Sequence, residues 1–92
     1  NWAYPYNNIG TSFYFEKDIS EAKGYYQKAV ELAPQWARPH SWLGDIAIKE
    51  QDYNTAVQEF SLVLEPTATG TKNMDLDKIR QKLQIAQQKV SF

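Results

Sequence analysis

Residues 2–10 read Trp2-Ala3-Tyr4-Pro5-Tyr6-Asn7-Asn8-Ile9-Gly10, and residues 36–44 read Trp36-Ala37-Arg38-Pro39-His40-Ser41-Trp42-Leu43-Gly44. At an offset of 34 residues the two stretches share their Trp, Ala, Pro and Gly, with Ile9 over Leu43 as a near match. The register continues without a gap. Glu16 falls on Glu50, Asp18 on Asp52, Ala22 on Ala56 and Glu31 on Glu65, with Tyr26 over Phe60. Self-similarity at such a period marks stacked repeats, in which each unit buries its apolar face against the next.

Within each copy, apolar residues recur at three- and four-residue spacings and a polar cluster interrupts them once. Each copy therefore predicts two amphipathic helices joined by a short turn. In the first copy the helices span about 4–16 and 20–32, with Ser20 as the cap of the second and Pro34, which lacks a backbone N–H, as its stop. In the second copy they span about 39–50 and 54–64, with Asn54 as cap and Pro66 as stop. Pro5 and Pro39 suit helix starts. Repeat 1 thus covers about 3–36 and repeat 2 about 37–66.

Residues 67–72, Thr67-Ala68-Thr69-Gly70-Thr71-Lys72, are small and polar and read as a loop. From about 73 to 91, Leu76, Ile79, Leu83, Ala86 and Val90 form one apolar stripe on a closing helix, with Asp75 and Asp77 at its positive end and Lys89 at its negative end. Packing on the second helix of copy two is the cheaper use of that stripe; joining a coiled coil is the alternative. Gln81, Gln84, Gln87, Gln88, Lys78, Arg80 and Lys82 occupy the other faces and read as solvent-facing.

These residues resemble the tetratricopeptide repeat family, whose pattern sets aromatic, aliphatic and small residues on a helix A and an alanine, an aromatic and a closing proline on a helix B. Copy one supplies Tyr6, Ile9, Gly10 and Phe13, then Ala22, Tyr26, Ala29 and Pro34. Copy two supplies His40, Leu43, Gly44 and Ala47, then Ala56, Phe60 and Val63, with its proline displaced to Pro66. The glycine usual at the turn between helices is Lys17 in one copy and Gln51 in the other. Close packing of each hairpin is expected where Gly10 faces Ala22 and Gly44 faces Ala56.

The resemblance implies an all-α fold: a right-handed α-α superhelix of two helix-turn-helix repeats and a solvating C-terminal helix, forming one domain over residues 1–92. It also implies a protein-protein interaction module that binds a peptide or helix of a partner on the concave face lined by the A helices. By register the groove residues are Tyr4, Asn7, Thr11, Tyr14 and Phe15 from copy one and Arg38, Ser41, Asp45, Ile48 and Lys49 from copy two. Tyr4, Tyr14 and Phe15 serve as aromatic anchors, with Arg38 and Lys49 as charges that attract an acidic ligand. In the competing reading Tyr14 and Phe15 merely cover the repeat junction. A subgroup of the family clamps the C-terminal carboxylate of chaperone tails with Lys and Asn on its first A helix; Asn7 and Thr11 in those places depart from that clamp.

A net charge of −1, with Lys and Arg scattered along the chain, provides no basic stripe for nucleic acid or an anionic membrane surface. No apolar run is long enough to span a bilayer. Without cysteine there is no thiolate chemistry, and the redox compartment stays open. No residues take nucleophile, base and oxyanion roles together, so neither an enzyme nor a cofactor is expected. His40, standing where the family has a packing aromatic, reads as a partly buried structural residue. Asp45, Glu50 and Asp52 lack the loop spacing of a calcium site and read as a solvated face.

The N-terminus, Asn1-Trp2-Ala3-Tyr4, has no initiator Met, so the chain reads as a piece of a longer protein and its localisation is open. Trp2, Tyr4 and Tyr6 crowd an uncapped repeat end. The alternative to a ligand groove is therefore an architectural or self-associating segment that forms a homo-oligomer through that end.

Overall fold

The computed structural model describes residues 2–90. It contains α1 (Ala3–Phe15), α2 (Ile19–Leu32), α3 (Ala37–Lys49), α4 (Tyr53–Val63) and α5 (Leu76–Val90). α1 with α2 and α3 with α4 form two antiparallel hairpins; α3 then stacks on α2 and α5 on α4, so the architecture is an all-α helical-repeat solenoid.

The turns inside the two hairpins are copies of one another down to their hydrogen bonds. Lys17 N–H donates to the Tyr14 carbonyl and Asp18 N–H to that of Phe13; Gln51 N–H donates to Ile48 and Asp52 N–H to Ala47. This is the Schellman ending, with Lys17 (φ 65°) and Gln51 (φ 59°) in the left-handed position that glycine ordinarily fills. The tight turn brings the next helix in early. Its caps are therefore Asp18, accepting from Glu21 N–H, and Asp52, accepting from Thr55 N–H at 3.2 Å and Thr55 Oγ1 at 2.7 Å. Ser20 and Asn54, expected as caps, lie inside α2 and α4. Pro5 and Pro39 take the third helical position, where a backbone N–H would find no intrahelical acceptor.

The glycine contacts also differ from expectation. A Cβ at Gly10 would meet the Tyr26 ring at 3.0 Å and one at Gly44 the Phe60 ring at 2.5 Å, so aromatic faces of α2 and α4, rather than Ala22 and Ala56, are what the glycines admit. Tyr26, Phe60, Ala22 and Ala56 are all fully buried.

His40, 4% exposed, joins the repeats. Its Nδ1 lies 2.6 Å from Glu59 Oε1 on α4 and its Nε2 lies 2.7 Å from the Pro34 carbonyl in the α2–α3 turn. Both partners are acceptors, so the arrangement favours the imidazolium, protonated on both nitrogens, and raises the His40 pKa above its ordinary value.

The segment between α4 and α5 is longer than the loop expected over 67–72. It crosses the repeat junction as a strap: Thr69 N–H donates to the Gln35 carbonyl at 2.7 Å, and the Thr69 carbonyl accepts from Ala37 N–H at 2.9 Å. α5 begins at Leu76, later than expected, because Asp75 caps it through Lys78 N–H. Its stripe packs on the α4 side, with Ile79 and Ala86 buried and Leu76 and Leu83 half-buried in the same cluster, while Val90 is exposed. The expected end at residue 91 lies outside the described residues.

Candidate functional site

α1 ends in two adjacent aromatics that the helical turn sends to different places. Tyr14 packs against Trp42 of α3 (centroids 4.9 Å apart), and Trp42 in turn stacks on buried Tyr26 at 5.8 Å with the rings nearly parallel. Phe15 meets Tyr14 and Trp42 edge-on at 5.7 and 6.0 Å yet remains 71% exposed. An aromatic chain thus runs from the core at Tyr26 to the surface at Phe15, and this packing holds the outer ring in place without covering it. Burial, then Asp45, raises the Tyr14 pKa, with Lys82 opposing, so the phenol stays neutral.

Around Tyr14 the structure brings Asp45, Ile48 and Lys49 of α3 together with Lys82 and Ile85 of α5, lining a cavity of about 340 Å³. Tyr14 and Lys49 also line a second cavity of about 420 Å³, with Phe15, Lys17 and Ile19. Arg38, Ser41 and Asp45 line a smaller one of about 120 Å³ with Trp42 and Met74. Lys82 Nζ donates to Asp45 Oδ1 at 2.8 Å, tying α5 to α3 across the first cavity. Lys49 Nζ sits 5.7 Å from the centre of the Tyr14 ring.

Seven of the ten residues expected in the groove therefore converge on one face: Tyr14, Phe15, Arg38, Ser41, Asp45, Ile48 and Lys49. The other three lie elsewhere. Tyr4 is exposed and its ring packs 4.6 Å from that of Trp36, away from these cavities. Asn7 is 6% exposed, too buried to face a ligand. Thr11 donates from Oγ1 to the Asn7 carbonyl and, having spent its one proton, accepts from the Tyr26 hydroxyl at 3.0 Å. Its side chain serves the hairpin interior.

A family model for the tetratricopeptide repeat matches residues 3–35, which hold α1, α2 and the turn that follows. The α1–α2 hairpin is thus similar to a tetratricopeptide repeat. The unmatched α3–α4 hairpin repeats the same turn, caps and glycine-to-ring contact at the offset of 34 residues, as a second copy of the same unit should. The family's general role is protein interaction. Neither the curated proteins nor the solved structures give a significant match to the chain.

Lys82 and Ile85 were invisible as candidate site residues in the sequence, where Lys82 reads as solvent-facing. The signal that points to them is positional: α5 stacks on α4 as α3 stacks on α2, which makes it a third A-type helix whose edge walls the cavity beside Tyr14. Asp45, Glu50 and Asp52 are each engaged separately, with Lys82, with Lys23 and as the α4 cap.

Proposed function

We propose that this chain is a protein-interaction module that holds a peptide or helix of a partner on the face shared by α1, α3 and α5. One observation carries the reading. Phe15 and Ile85 stand 71% and 53% exposed at the two adjoining cavities, and Phe15 is braced by an aromatic chain reaching the core. Apolar side chains held rigid yet uncovered lose little entropy when a partner covers them, which is what an interface anchor requires. Peptides selected from a random array by the native chain should lose most of their binding to the double variant Phe15→Ser, Ile85→Ser. Both positions are exposed, so the helical signal and melting temperature should change little. Undiminished binding by the double variant would remove this face as the site.

A second observation favours a self-associating segment. Leu43 on α3 is 6% exposed because α2 covers it, while its counterpart Ile9 on α1 is 40% exposed, and Trp2, which precedes α1, is 72% exposed. We propose the uncovered face of α1 as a surface on which a second copy packs.

A further inference from the structure

One side chain at the joint between the repeats stands between two acceptors. His40, on α3, reaches Glu59 Oε1 on α4 with Nδ1 at 2.6 Å and the Pro34 carbonyl in the α2–α3 turn with Nε2 at 2.7 Å. The first hairpin has no such bridge: 34 residues earlier the two side chains are Tyr6 and Tyr25, whose rings stack at 6.2 Å. Glu59 is the carboxylate paired with the ring, the turn meets it with an uncharged carbonyl, and neither α2, α5 nor the strap adds an ion pair to it among the described residues. Burial alone would lower the His40 pKa, but its bonds to Glu59 and Pro34 raise it above 6.5, so the doubly bonded ring belongs to acid and is lost as pH climbs through the folded value.

A ring that has lost one proton donates from only one nitrogen. The two acceptors compete unequally. A bond to a carboxylate is about twice as strong as one to a neutral carbonyl, so the remaining proton stays on Nδ1 and Nε2 turns a lone pair toward Pro34. A lone pair facing a carbonyl oxygen at 2.7 Å is repulsive, and the turn has room to move: Pro34 and Gln35 are exposed, and an open cavity of about 300 Å³ flanks them between Ala33, Trp36 and Thr69. The same turn carries both strap bonds, Thr69 N–H to the Gln35 carbonyl and Ala37 N–H to that of Thr69. We propose that His40 is a pH-operated latch on the α2–α3 turn: the imidazolium clamps the turn to α4, while the neutral ring keeps Glu59, releases Pro34 and loosens the strap. The turns inside the hairpins are closed by their own backbone bonds, so the hairpins stay intact while the joint between them opens.

The test follows the isotopically labelled chain across a pH series. Ring nitrogen shifts should show both nitrogens protonated in acid and, past the titration, a proton on Nδ1 with Nε2 bare. Over the same interval the protection factors of the Thr69 and Ala37 amides should drop about three- to tenfold, while those of Asp18 and Asp52, inside the hairpins, hold. Glu59→Gln should cancel the drop, because its side-chain NH2 can donate to Nδ1 and leave the remaining ring proton on Nε2, bonded to Pro34. An alkaline ring protonated on Nε2 in the native chain overturns the proposal. So does a fall in protection shared equally by the four amides, which reports general destabilisation rather than a latch.

Discussion

At Gly44 the backbone of α3 runs so close to α4 that a Cβ would lie 2.5 Å from the Phe60 ring, whereas at Gly10 the corresponding distance to Tyr26 is 3.0 Å and at exposed Gly24 nothing lies within 4 Å. Alanine regains about 1 kcal/mol of helix propensity at each position. Gly24→Ala should therefore stabilise by about that amount, Gly10→Ala should be near neutral, and Gly44→Ala should cost a net 1–2 kcal/mol or so because the buried ring has nowhere to move. Urea midpoints of the three variants test this order; equal midpoints for Gly10→Ala and Gly44→Ala would refute it. His40 offers a second residue-scale test. Burial alone would lower its pKa, but the Glu59 carboxylate and the Pro34 carbonyl outweigh that and hold it above the usual value of 6.5. A raised folded pKa stabilises fully below the unfolded pKa of about 6.5 and is lost as pH climbs through the folded value. Stability should fall as pH rises from about 6.5 through the folded pKa, and Glu59→Gln should flatten that slope while costing about 1.5–3 kcal/mol at the acid end. A native chain with no decline in melting temperature over that range would contradict the imidazolium assignment.

α3 shows how an element is completed from outside its own sequence. Its N-cap is Trp36, which offers no side-chain acceptor, so its first N–H is left to the Thr69 carbonyl in the strap. The strap holds its course because Gly70, at φ 73°, lies flat against the Trp36 indole, where a Cβ would come within 2.7 Å of the ring. Lys17 and Gln51 adopt similar backbone angles without this constraint, since both are exposed and only the torsional cost applies to them. Gly70→Ala adds a clash to that torsional cost. It should destabilise by about 1–3 kcal/mol, speed exchange of the Thr69 and Ala37 amides and shift the emission of buried Trp36. Protected amides with unchanged emission would mean that the strap does not depend on Gly70.

At the scale of the whole molecule, each repeat is covered on the side where the next one stacks: α2 receives α3 and α4 receives α5. The face of α1 bearing Ile9 and Trp2 receives nothing among the described residues. If that face is where copies meet, light scattering across a concentration series should show a dimer that Trp2→Ser with Ile9→Ser converts to monomer. A monomer at every concentration would leave the groove as the working surface. The radius of gyration, 12.4 Å, is about that of an ordinary globule of this length, so two repeats and α5 form a short array whose groove is little longer than the few side chains that line it.

Repeat period, helix order, the buried aromatics and the apolar stripe of α5 were all determined by the sequence alone. They rest on local spacing, which a chain displays whether or not it is folded, and a gapless offset doubles every local signal. That Tyr14, Asp45, Ile48 and Lys49 share one cavity followed as well, because helical register places them on one side of their helices. Tertiary structure decided what depends on distance between elements. It buried Asn7 and turned Thr11 to Tyr26, since a helix face can meet either solvent or its hairpin partner and register alone does not choose. It moved the caps to Asp18 and Asp52, because a turn through left-handed Lys17 or Gln51 consumes fewer residues than the polar clusters suggest. It also carried Lys82 and Ile85 across to α3 and laid Thr69 against Gln35, contacts between residues more than thirty positions apart that only the stacking of the repeats brings together.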